Sequence, residues 1–268
     1  MTRPPEVPLD LALKAALAAG GEIMDAYGGD VAADPKQDGS PLTLADRRAH
    51  RVIEATLEVS GLPVLSEEGV HVPYRERRQW SRLWIVDPLD GTKEFLRRNG
   101  EFTVNIAMVE SGYPVLGVVY APALGIVYYA TRHGGAWKES RPGDDRQALP
   151  LTRGLKGGPL RVVASRSHLS RETEAFIREH EDRVGPVSTV SMGSSLKICL
   201  VAEGSADCYP RFAPTMEWDT AAGQAIVEAA GGSLTDYRAG VRMRYNRENL
   251  TNEWFLVCRG EGGPSAGE

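Results

Sequence analysis

Four acidic residues occur in sequence contexts that suit metal chemistry. Asp87 and Asp90 flank Pro88-Leu89 at the end of a predicted strand, and Glu67 follows another short strand. Asp219 opens a predicted helix of small residues. Hard cations such as Mg²⁺ prefer oxygen ligands, and phosphoryl transfer often uses two such ions close together. These carboxylates therefore indicate a magnesium site for phosphoryl chemistry.

The turn that contains Asp87 and Asp90 can aim several oxygen atoms at one point. Pro88 fixes its own φ angle, and Gly91 permits a backbone angle that other residues rarely adopt. Such a turn can direct both carboxylates and the Leu89 carbonyl oxygen toward one cation. Gly91 and Thr92 then begin a helix, whose free N–H groups can bind a phosphate.

Each acidic position also has a plain structural interpretation. Asp, Pro and Gly are common turn residues, so residues 87–91 alone also fit an ordinary turn. Glu67-Glu68 alone fits a solvated loop, and Asp219 alone fits a helix N-cap. The EF-hand pattern is absent, and the five histidines are scattered without an H-E-x-x-H pattern, which argues against a zinc site.

The elements that position these residues begin with two helices. Helical spacing of apolar residues predicts the first helix from Leu13, Leu17, Gly20, Met24 and Tyr27. A second helix is predicted from Thr43 to about Val59. Strands are predicted at 62–65, 82–86, 102–109, 115–121 and 125–131. Residues 111–131 carry no charge, but their prolines, glycines and β-branched residues favour a hairpin over a transmembrane helix.

The second half of the chain alternates strands and helices. Residues 139–149 predict a loop between two halves, and the elements that follow are strands at 160–164, 187–191 and 206–209 and helices at 171–180, 194–202 and 219–230. This alternation predicts a layered α/β arrangement. We expect an N-terminal α+β half (1–148) with the metal-binding turn, a C-terminal α/β half (149–259) that closes the site, and a disordered tail (260–268).

Composition narrows the range of partners and compartments. A chain of 268 residues suits one large domain or two compact halves. Its net charge of −5 argues against binding a nucleic-acid polymer, which usually needs a basic face. Three cysteines without a C-x-x-C pair fit a reducing compartment, so we expect a cytoplasmic protein. The N-terminal residues do not resemble a signal peptide, and no transmembrane segment is expected.

Three segments together resemble the inositol monophosphatase superfamily of lithium-sensitive phosphatases. Trp84–Phe95 is similar to its first signature, Glu217–Ala222 to its second, and Ser66–Glu68 to its metal-ligand glutamate loop, in the same order and spacing. The resemblance implies an α/β (α+β) fold, the layered αβαβα sandwich. Further segments resemble the bacterial 3′(2′),5′-bisphosphate nucleotidase branch, the CysQ type: residues 36–43, 92–105, and 193–197 with 202–210.

The resemblance also implies the metal ligands. Glu67, Asp87 and the Leu89 carbonyl oxygen would hold one Mg²⁺ ion, and Asp87, Asp90 and Asp219 would hold a second. Whether Glu67 also helps to bind a third, weaker ion stays open. The implied reaction is attack of a metal-activated water on phosphorus, without a covalent phospho-enzyme.

Catalytic roles follow from the same resemblance. Besides Glu67, Thr92 is expected to orient the water, with Asp46 behind its hydroxyl group as a proton relay. Thr43 to Asp46 also fits a capping box at the start of the second helix, and the two roles of Asp46 can coexist.

The substrate is expected to lie against the same turn. Gly91 and Thr92 would bind the scissile phosphate through their N–H groups. The remaining expected contacts are Glu67, Leu89, Asp90 and Asp219, with Gly193 and Ser194 at the ribose or second phosphate. An ordinary capped helix explains Gly193 and Ser194 equally well. Lys36, Lys197 and Arg211 are weaker candidates, and Trp218 is expected to pack in the core.

The implied substrate is adenosine 3′,5′-bisphosphate, a by-product of sulfotransfer and sulfate reduction. Removal of its 3′-phosphate would give AMP, and action on 3′-phosphoadenylyl sulfate stays open. The alternatives are an inositol-1-phosphatase or broader sugar phosphatase, and, more distantly, a non-catalytic nucleotide-binding protein. The resemblance implies lithium inhibition and a monomer or homodimer. Some relatives associate with the cytoplasmic face of the inner membrane, but this sequence shows no anchor.

Overall fold

The computed structural model describes residues 8–29, 33–35, 41–140, 143–151, 158–164 and 169–260. Lys36 and the rest of the motif up to Ser40 lie outside the described residues, as does the predicted tail from 261 onward. All other candidate site residues fall within them.

Seven α-helices occur among the described residues. In chain order they are α1 (Pro8–Tyr27), α2 (Leu44–Leu57), α3 (Tyr74–Arg77), α4 (Thr92–Leu96), α5 (Arg171–Val184), α6 (Leu196–Glu203) and α7 (Glu217–Ala229). A 3₁₀ turn at Glu58–Ser60 extends α2.

The strands of the described residues form two large sheets and two short pairs. They are β1 (Ala33–Pro35), β2 (Pro41–Thr43), β3 (Val64–Ser66), β4 (Arg82–Asp90), β5 (Thr103–Glu110), β6 (Tyr113–Ala121), β7 (Ile126–Thr131), β8 (Gly135–Glu139), β9 (Gln147–Ala148), β10 (Leu160–Val163), β11 (Val187–Val190), β12 (Cys208–Arg211), β13 (Thr215–Met216), β14 (Ser233–Asp236), β15 (Thr251–Asn252) and β16 (Phe255–Cys258).

The larger sheet has seven strands, which follow one another in chain order from β3 to β9. Strand β3 is parallel to β4, and all later neighbours are antiparallel. The smaller sheet has the order β11-β10-β12-β16-β14, with β11, β10 and β12 parallel. Strand β16 runs antiparallel to both its neighbours.

The packing gives five layers. Alternate residues of β4 point to opposite faces of the sheet: Trp84 packs in the core with α1 and α2, and Ile85 in the core with α6 and α7. Helices α6 and α7 also contact the smaller sheet, whose other face packs on Phe176 of α5. The predicted αβαβα sandwich is therefore confirmed, and α7 lies in its central layer.

Several predicted elements are confirmed and others need correction. The uncharged segment forms the β6–β7 hairpin, as predicted. On α1, Gly20 is buried and Leu13, Met24 and Tyr27 pack against the core shared with α2, as the helical spacing predicts, whereas Leu17 is exposed. Residues 147–148 pair with β8 instead of lying in a loop. Strands β14 and β16 were missed. The division of the chain near residue 148 stays a prediction.

A membrane-spanning helix is not found in the part of the chain that the structure describes. The only sequence segment that raised this possibility forms two strands instead.

Gly117 lets α7 approach the larger sheet closely. A Cβ atom at this position of β6 would collide with the Ala222 carbonyl oxygen and lie 2.9 Å from Ala225 Cβ.

Because the clash is with helix backbone, we expect Gly117→Ala to destabilise the protein by about 1–3 kcal/mol, seen as a lower melting temperature. Gly21→Ala is the control: this glycine is exposed in α1 and a Cβ there meets nothing within 4 Å. An equal melting temperature for both variants would contradict this account of the packing.

Candidate active site

A β-bulge brings Asp87 and Asp90 to the same side of the larger sheet. Residues three apart on a regular strand point to opposite faces. Here Asp87 pairs with Asn105 and Asp90 with Thr103, so Pro88 and Leu89 oppose the single residue Val104. The extra residue restores a common direction for the two carboxylates. It also accommodates Pro88, which cannot donate a ladder hydrogen bond.

Asp219 reaches the same place from the first turn of α7. Met216 is the N-cap of α7 and Asp219 is its third residue, so the interpretation of Asp219 as the N-cap was wrong. Instead, Asp219 Oδ2 accepts a hydrogen bond from the Met216 N–H group at 2.8 Å, as the third residue of a capping box does. One oxygen each from Asp87, Asp90 and Asp219 lies within 4.8 Å of the other two. The structure therefore unites three of the predicted metal ligands, two from the larger sheet and one from the central helix layer.

Glu67 adjoins this cluster from the neighbouring strand. It directly follows β3, and its N–H group donates to the Val86 carbonyl oxygen at 3.2 Å, which extends the pairing with β4. Its side chain hydrogen-bonds to Asp87, and its charge acts on both Asp87 and Asp219. The fourth predicted carboxylate thus lies beside Asp87 and close enough to Asp219 to act on it.

The cluster is electrostatically costly without a cation. Burial raises the pKa of Asp87 well above its ordinary value, and the charges of Glu67, Asp90 and Asp219 raise it further. Burial, followed by the charge of Asp90, raises the pKa of Asp219 to about 8. The Met216 N–H group and the Arg211 charge oppose the shift at Asp219 only in part. Protons or metal ions must therefore neutralise the site near neutral pH.

The donor set fits a divalent cation of the Mg²⁺ type. It consists of carboxylates, and backbone N–H groups orient three of them: Leu89 to Asp87, Ser195 to Asp90 and Met216 to Asp219. The buried Asn105 Oδ1 finds no donor among the described residues. Such an atom is commonly satisfied by water or an ion. Both observations suit a hydrated cation at this position.

Ser195 and Asn105 hold Asp90 in place. Asp90 Oδ2 accepts hydrogen bonds from Ser195 N at 2.6 Å and from Ser195 Oγ at 2.7 Å. Asn105 Nδ2 donates to Ser195 Oγ at 2.8 Å and lies 3.4 Å from Asp90 Oδ2. Neither Ser195 nor Asn105 was predicted to hold a carboxylate. Their presence in segments that resemble the nucleotidase branch was the available signal.

Gly91 and Thr92 adopt the predicted turn. Gly91 has φ 89°, a left-handed conformation that favours glycine, and it precedes α4 directly. The Thr92 hydroxyl group donates a long hydrogen bond of 3.5 Å to the Leu89 carbonyl oxygen. The predicted roles of Gly91 in phosphate binding, of Leu89 as a metal ligand and of Thr92 in orienting water stay predictions.

The structure confirms the predicted capping-box role of Asp46 at the start of α2. Its Oδ2 accepts hydrogen bonds from Thr43 N at 2.7 Å and from Thr43 Oγ1 at 2.5 Å, and Thr43 caps α2. The Asp46 side chain is buried. Strand β2, which ends at Thr43, packs against α4, which begins at Thr92. The relay from Thr92 to Asp46 stays a prediction.

A cleft of about 690 Å³ opens at the carboxylates. Asp90, Gly91, Gly193, Ser194 and Asp219 line it, as do three basic residues, Arg97, Lys197 and Arg211. Its size is typical of small-molecule sites. Helix α6 begins at Leu196, later than predicted, so Gly193 and Ser194 lie in the preceding turn. Trp218 packs on the core, as expected.

The chain matches one known protein family over nearly its whole length. The model of the inositol monophosphatase family matches residues 6–259. The chain belongs to the inositol monophosphatase family. This family is metal-dependent, and the acidic cluster described above is compatible with that property.

Similar members of the family share one name. The chain is 49% identical over 250 residues to a protein of Salmonella typhimurium called 3′(2′),5′-bisphosphate nucleotidase CysQ, covering 89% of this chain and 94% of the relative. The protein of that name from Escherichia coli K12 is 46% identical over 258 residues, covering 93% and 98%.

Solved structures of the family give the same result for the fold. The crystal structure of CysQ from Bacteroides thetaiotaomicron matches with a TM-score of 0.84 and 47% identity, over 97% of this chain and 98% of that one. The Thermotoga maritima IMPase matches with a TM-score of 0.74 and 28% identity, over 94% and 92%.

The raised pKa values predict a pH-dependent stabilisation by metal. An aspartate with a folded-state pKa near 8 and an unfolded pKa of about 4 binds its proton more tightly when folded. The metal-free protein should therefore lose stability as the pH rises from about 4 to 8. Mg²⁺ binds the deprotonated carboxylates, so the gain in melting temperature on adding Mg²⁺ should be larger at pH 8.5 than at pH 6.

Differential scanning calorimetry with Mg²⁺ or EDTA at both pH values measures this gain. Asp219→Asn is the control, because it removes one raised carboxyl group and should flatten the pH dependence. An equal gain at pH 6 and pH 8.5 would show that the cluster is already ionised without metal.

Proposed function

We propose that this protein is a Mg²⁺-dependent phosphomonoesterase that removes the 3′-phosphate of adenosine 3′,5′-bisphosphate to give AMP. The observation that carries the proposal is the set of three buried or half-buried carboxylates within 4.8 Å at the cleft. The substrate follows from relatives of 46–49% identity that bear the name of this nucleotidase. Action on 3′-phosphoadenylyl sulfate would use the same site.

In this proposal the acidic residues hold two Mg²⁺ ions. Glu67, Asp87 and the Leu89 carbonyl oxygen form one set of ligands, and Asp87, Asp90 and Asp219 form the other. Such ions lower the pKa of a coordinated water and stabilise charge on phosphoryl and leaving-group oxygens. Asp87 belongs to both sets, which agrees with its position at the centre of the interacting carboxylates.

The turn from Gly91 to Thr92 binds and orients the reacting groups. The free N–H groups at the start of α4 would bind the scissile phosphate. The Thr92 hydroxyl group orients the attacking water. It accepts a proton from that water and passes its own proton to the Asp46 carboxylate. This relay is supported by the burial of Asp46 and by the packing of β2 on α4.

The cleft provides room and charge for the rest of the nucleotide. Arg97, Lys197 and Arg211 offset the anionic charge of a substrate with two phosphates. Lys197 Nζ donates to the Ser194 carbonyl oxygen at 2.9 Å, so the lysine is already directed toward that turn. Gly193 and Ser194 then contact the ribose or the second phosphate.

A second candidate function is hydrolysis of inositol or sugar phosphates. It is favoured by the fold shared with the Thermotoga maritima IMPase, at 28% identity. The same carboxylates would serve both reactions. Only the size and charge of the cleft can therefore distinguish a nucleotide substrate from an inositol or sugar phosphate. A non-catalytic nucleotide-binding role is disfavoured because Glu67, Asp87, Asp90 and Asp219 are all present and adjacent.

Phosphate release tests the choice of substrate. We expect release with Mg²⁺ to be much faster from adenosine 3′,5′-bisphosphate than from inositol 1-phosphate or fructose 1,6-bisphosphate at equal concentration. Asp87→Asn should lower the rate at least ~100-fold, because the site loses a ligand shared by both ions. Preference for inositol 1-phosphate would favour the second candidate, and no release from any of the three would contradict both.

The relay role of Asp46 can be separated from its capping role. Asp46→Asn keeps an oxygen that can accept from Thr43 but removes the proton acceptor, so we expect kcat to fall about 10²- to 10⁴-fold with little change in melting temperature. Thr43→Val is the matched control: it removes the cap hydroxyl and should cost about 1 kcal/mol of stability. Full activity of Asp46→Asn would restrict Asp46 to capping.

A further inference from the structure

Glu217 is a buried carboxylate that the proposed reaction does not use. It is the first residue of α7, two residues before Asp219, and its side chain is 0% exposed. Its Oε2 accepts a hydrogen bond from Asn246 N at 2.6 Å. Its Oε1 accepts from both Arg247 N and Arg247 Nε at 3.0 Å. Both oxygens are thus committed to one loop, residues 246–248.

Arg77 binds oxygen atoms of the same loop, whereas Glu217 binds its N–H groups. It ends α3, ten residues after Glu67, and is only 3% exposed. Its guanidinium group donates to Asn246 Oδ1 at 3.1 Å, to the Arg247 carbonyl oxygen at 2.5 Å and to the Glu248 carbonyl oxygen at 2.9 Å. Asn246 Nδ2 donates back to the Arg77 carbonyl oxygen at 2.7 Å. The loop is therefore clamped between Arg77 and Glu217.

A second set of hydrogen bonds connects this loop to the start of α7. Arg247 Nη2 donates to Asn252 Oδ1 at 2.6 Å. Asn252 Nδ2 donates to the Met216 carbonyl oxygen at 2.7 Å and lies 3.0 Å from Thr220 Oγ1. Met216 is also the residue whose N–H group fixes Asp219. The first turn of α7 is thus held before and after Asp219.

These contacts join the two parts of the carboxylate cluster. Glu67, Asp87 and Asp90 belong to the larger sheet or follow it, whereas Asp219 arrives on α7. A Mg²⁺ ion requires near-octahedral geometry and short distances to its ligand oxygens. A small shift of one ligand therefore weakens the binding of the metal ion. Arg77 lies on the segment that connects Glu67 to β4, and Glu217 lies on α7. The clamp links these two elements through one loop.

We propose that Arg77 and Glu217 are positioning residues that set the place of Asp219 relative to Asp87 and Asp90. They act on metal affinity through the loop at 246–248 and touch neither the metal nor the substrate. This proposal rests on the proposed metal-dependent function, and metal binding tests it separately from turnover.

The test is calorimetric titration of Mn²⁺ into metal-free wild type, Glu217→Gln and Arg77→Lys, with Mg²⁺ activation curves alongside. Glu217→Gln places an amide NH₂ group against loop N–H groups, which cannot accept a hydrogen bond. Arg77→Lys removes the planar guanidinium group that binds several loop oxygens at once. We expect metal affinity to fall about 10- to 100-fold, as for other outer-shell partners, with kcat recovering at saturating metal.

Lys138→Met is the matched control. It breaks another partly buried ion pair, in which Lys138 Nζ lies 2.6 Å from Glu203 Oε2, between β8 and the far end of α6. We expect a comparable fall in melting temperature with wild-type metal affinity. Arg247→Lys provides a milder break of the clamp, because this side chain is 31% exposed, and it should also weaken metal binding.

The outcomes separate the two proposals. Unchanged Mn²⁺ affinity in the folded clamp variants, or an equal loss of affinity in Lys138→Met, would overturn the positioning role. Wild type that binds Mn²⁺ tightly but hydrolyses no phosphomonoester would overturn the proposed function, while weaker binding by the clamp variants would still support the positioning role.

Discussion

The main physical constraint on this structure is the mutual repulsion of several carboxylates in one small, largely buried volume. The rest of the fold must hold these side chains together against that repulsion. Asp87 is 1% exposed, and the negative charges of Glu67, Asp90 and Asp219 all act on it. Water cannot screen such charges well, so the folded protein must bind protons or cations there. An arrangement that is costly when empty becomes a strong site for a divalent cation, which is the property that the proposed phosphatase requires.

Much of the surrounding fold serves to hold these side chains against that repulsion. The β-bulge at Pro88 directs two carboxylates to one side, and the N–H groups of Leu89, Ser195 and Met216 each fix one of them. The central position of α7, permitted by Gly117, delivers Asp219 between the two sheets. The metal centre is therefore shared by distant parts of the chain, and its geometry depends on how the layers meet.

The local parts of this arrangement could be predicted from sequence, whereas the long-range parts could not. Asp87, Pro88 and Asp90 lie within one turn, so their types and spacing indicated the chemistry directly. The bulge depends on the partner strand β5, and the bonds from Ser195 to Asp90 and from Arg77 to Asn246 span more than 100 residues. The same limit explains the missed strand β16, which pairs with two strands that are not adjacent to it in the chain. On α1, four alanines belong to the buried face, and the periodicity of large apolar residues does not detect them.

The central claim is that the carboxylates of Asp87, Asp90 and Asp219, with Glu67 beside them, form one centre for divalent cations. A crystal structure of the protein grown with Mn²⁺, with anomalous scattering recorded at a wavelength where manganese contributes, tests this most directly. The account predicts two anomalous peaks at these carboxylates, both within about 2.0–2.3 Å of ligand oxygens, as in other sites for hard divalent cations. No peak there at saturating Mn²⁺, or peaks only elsewhere on the protein, would contradict it.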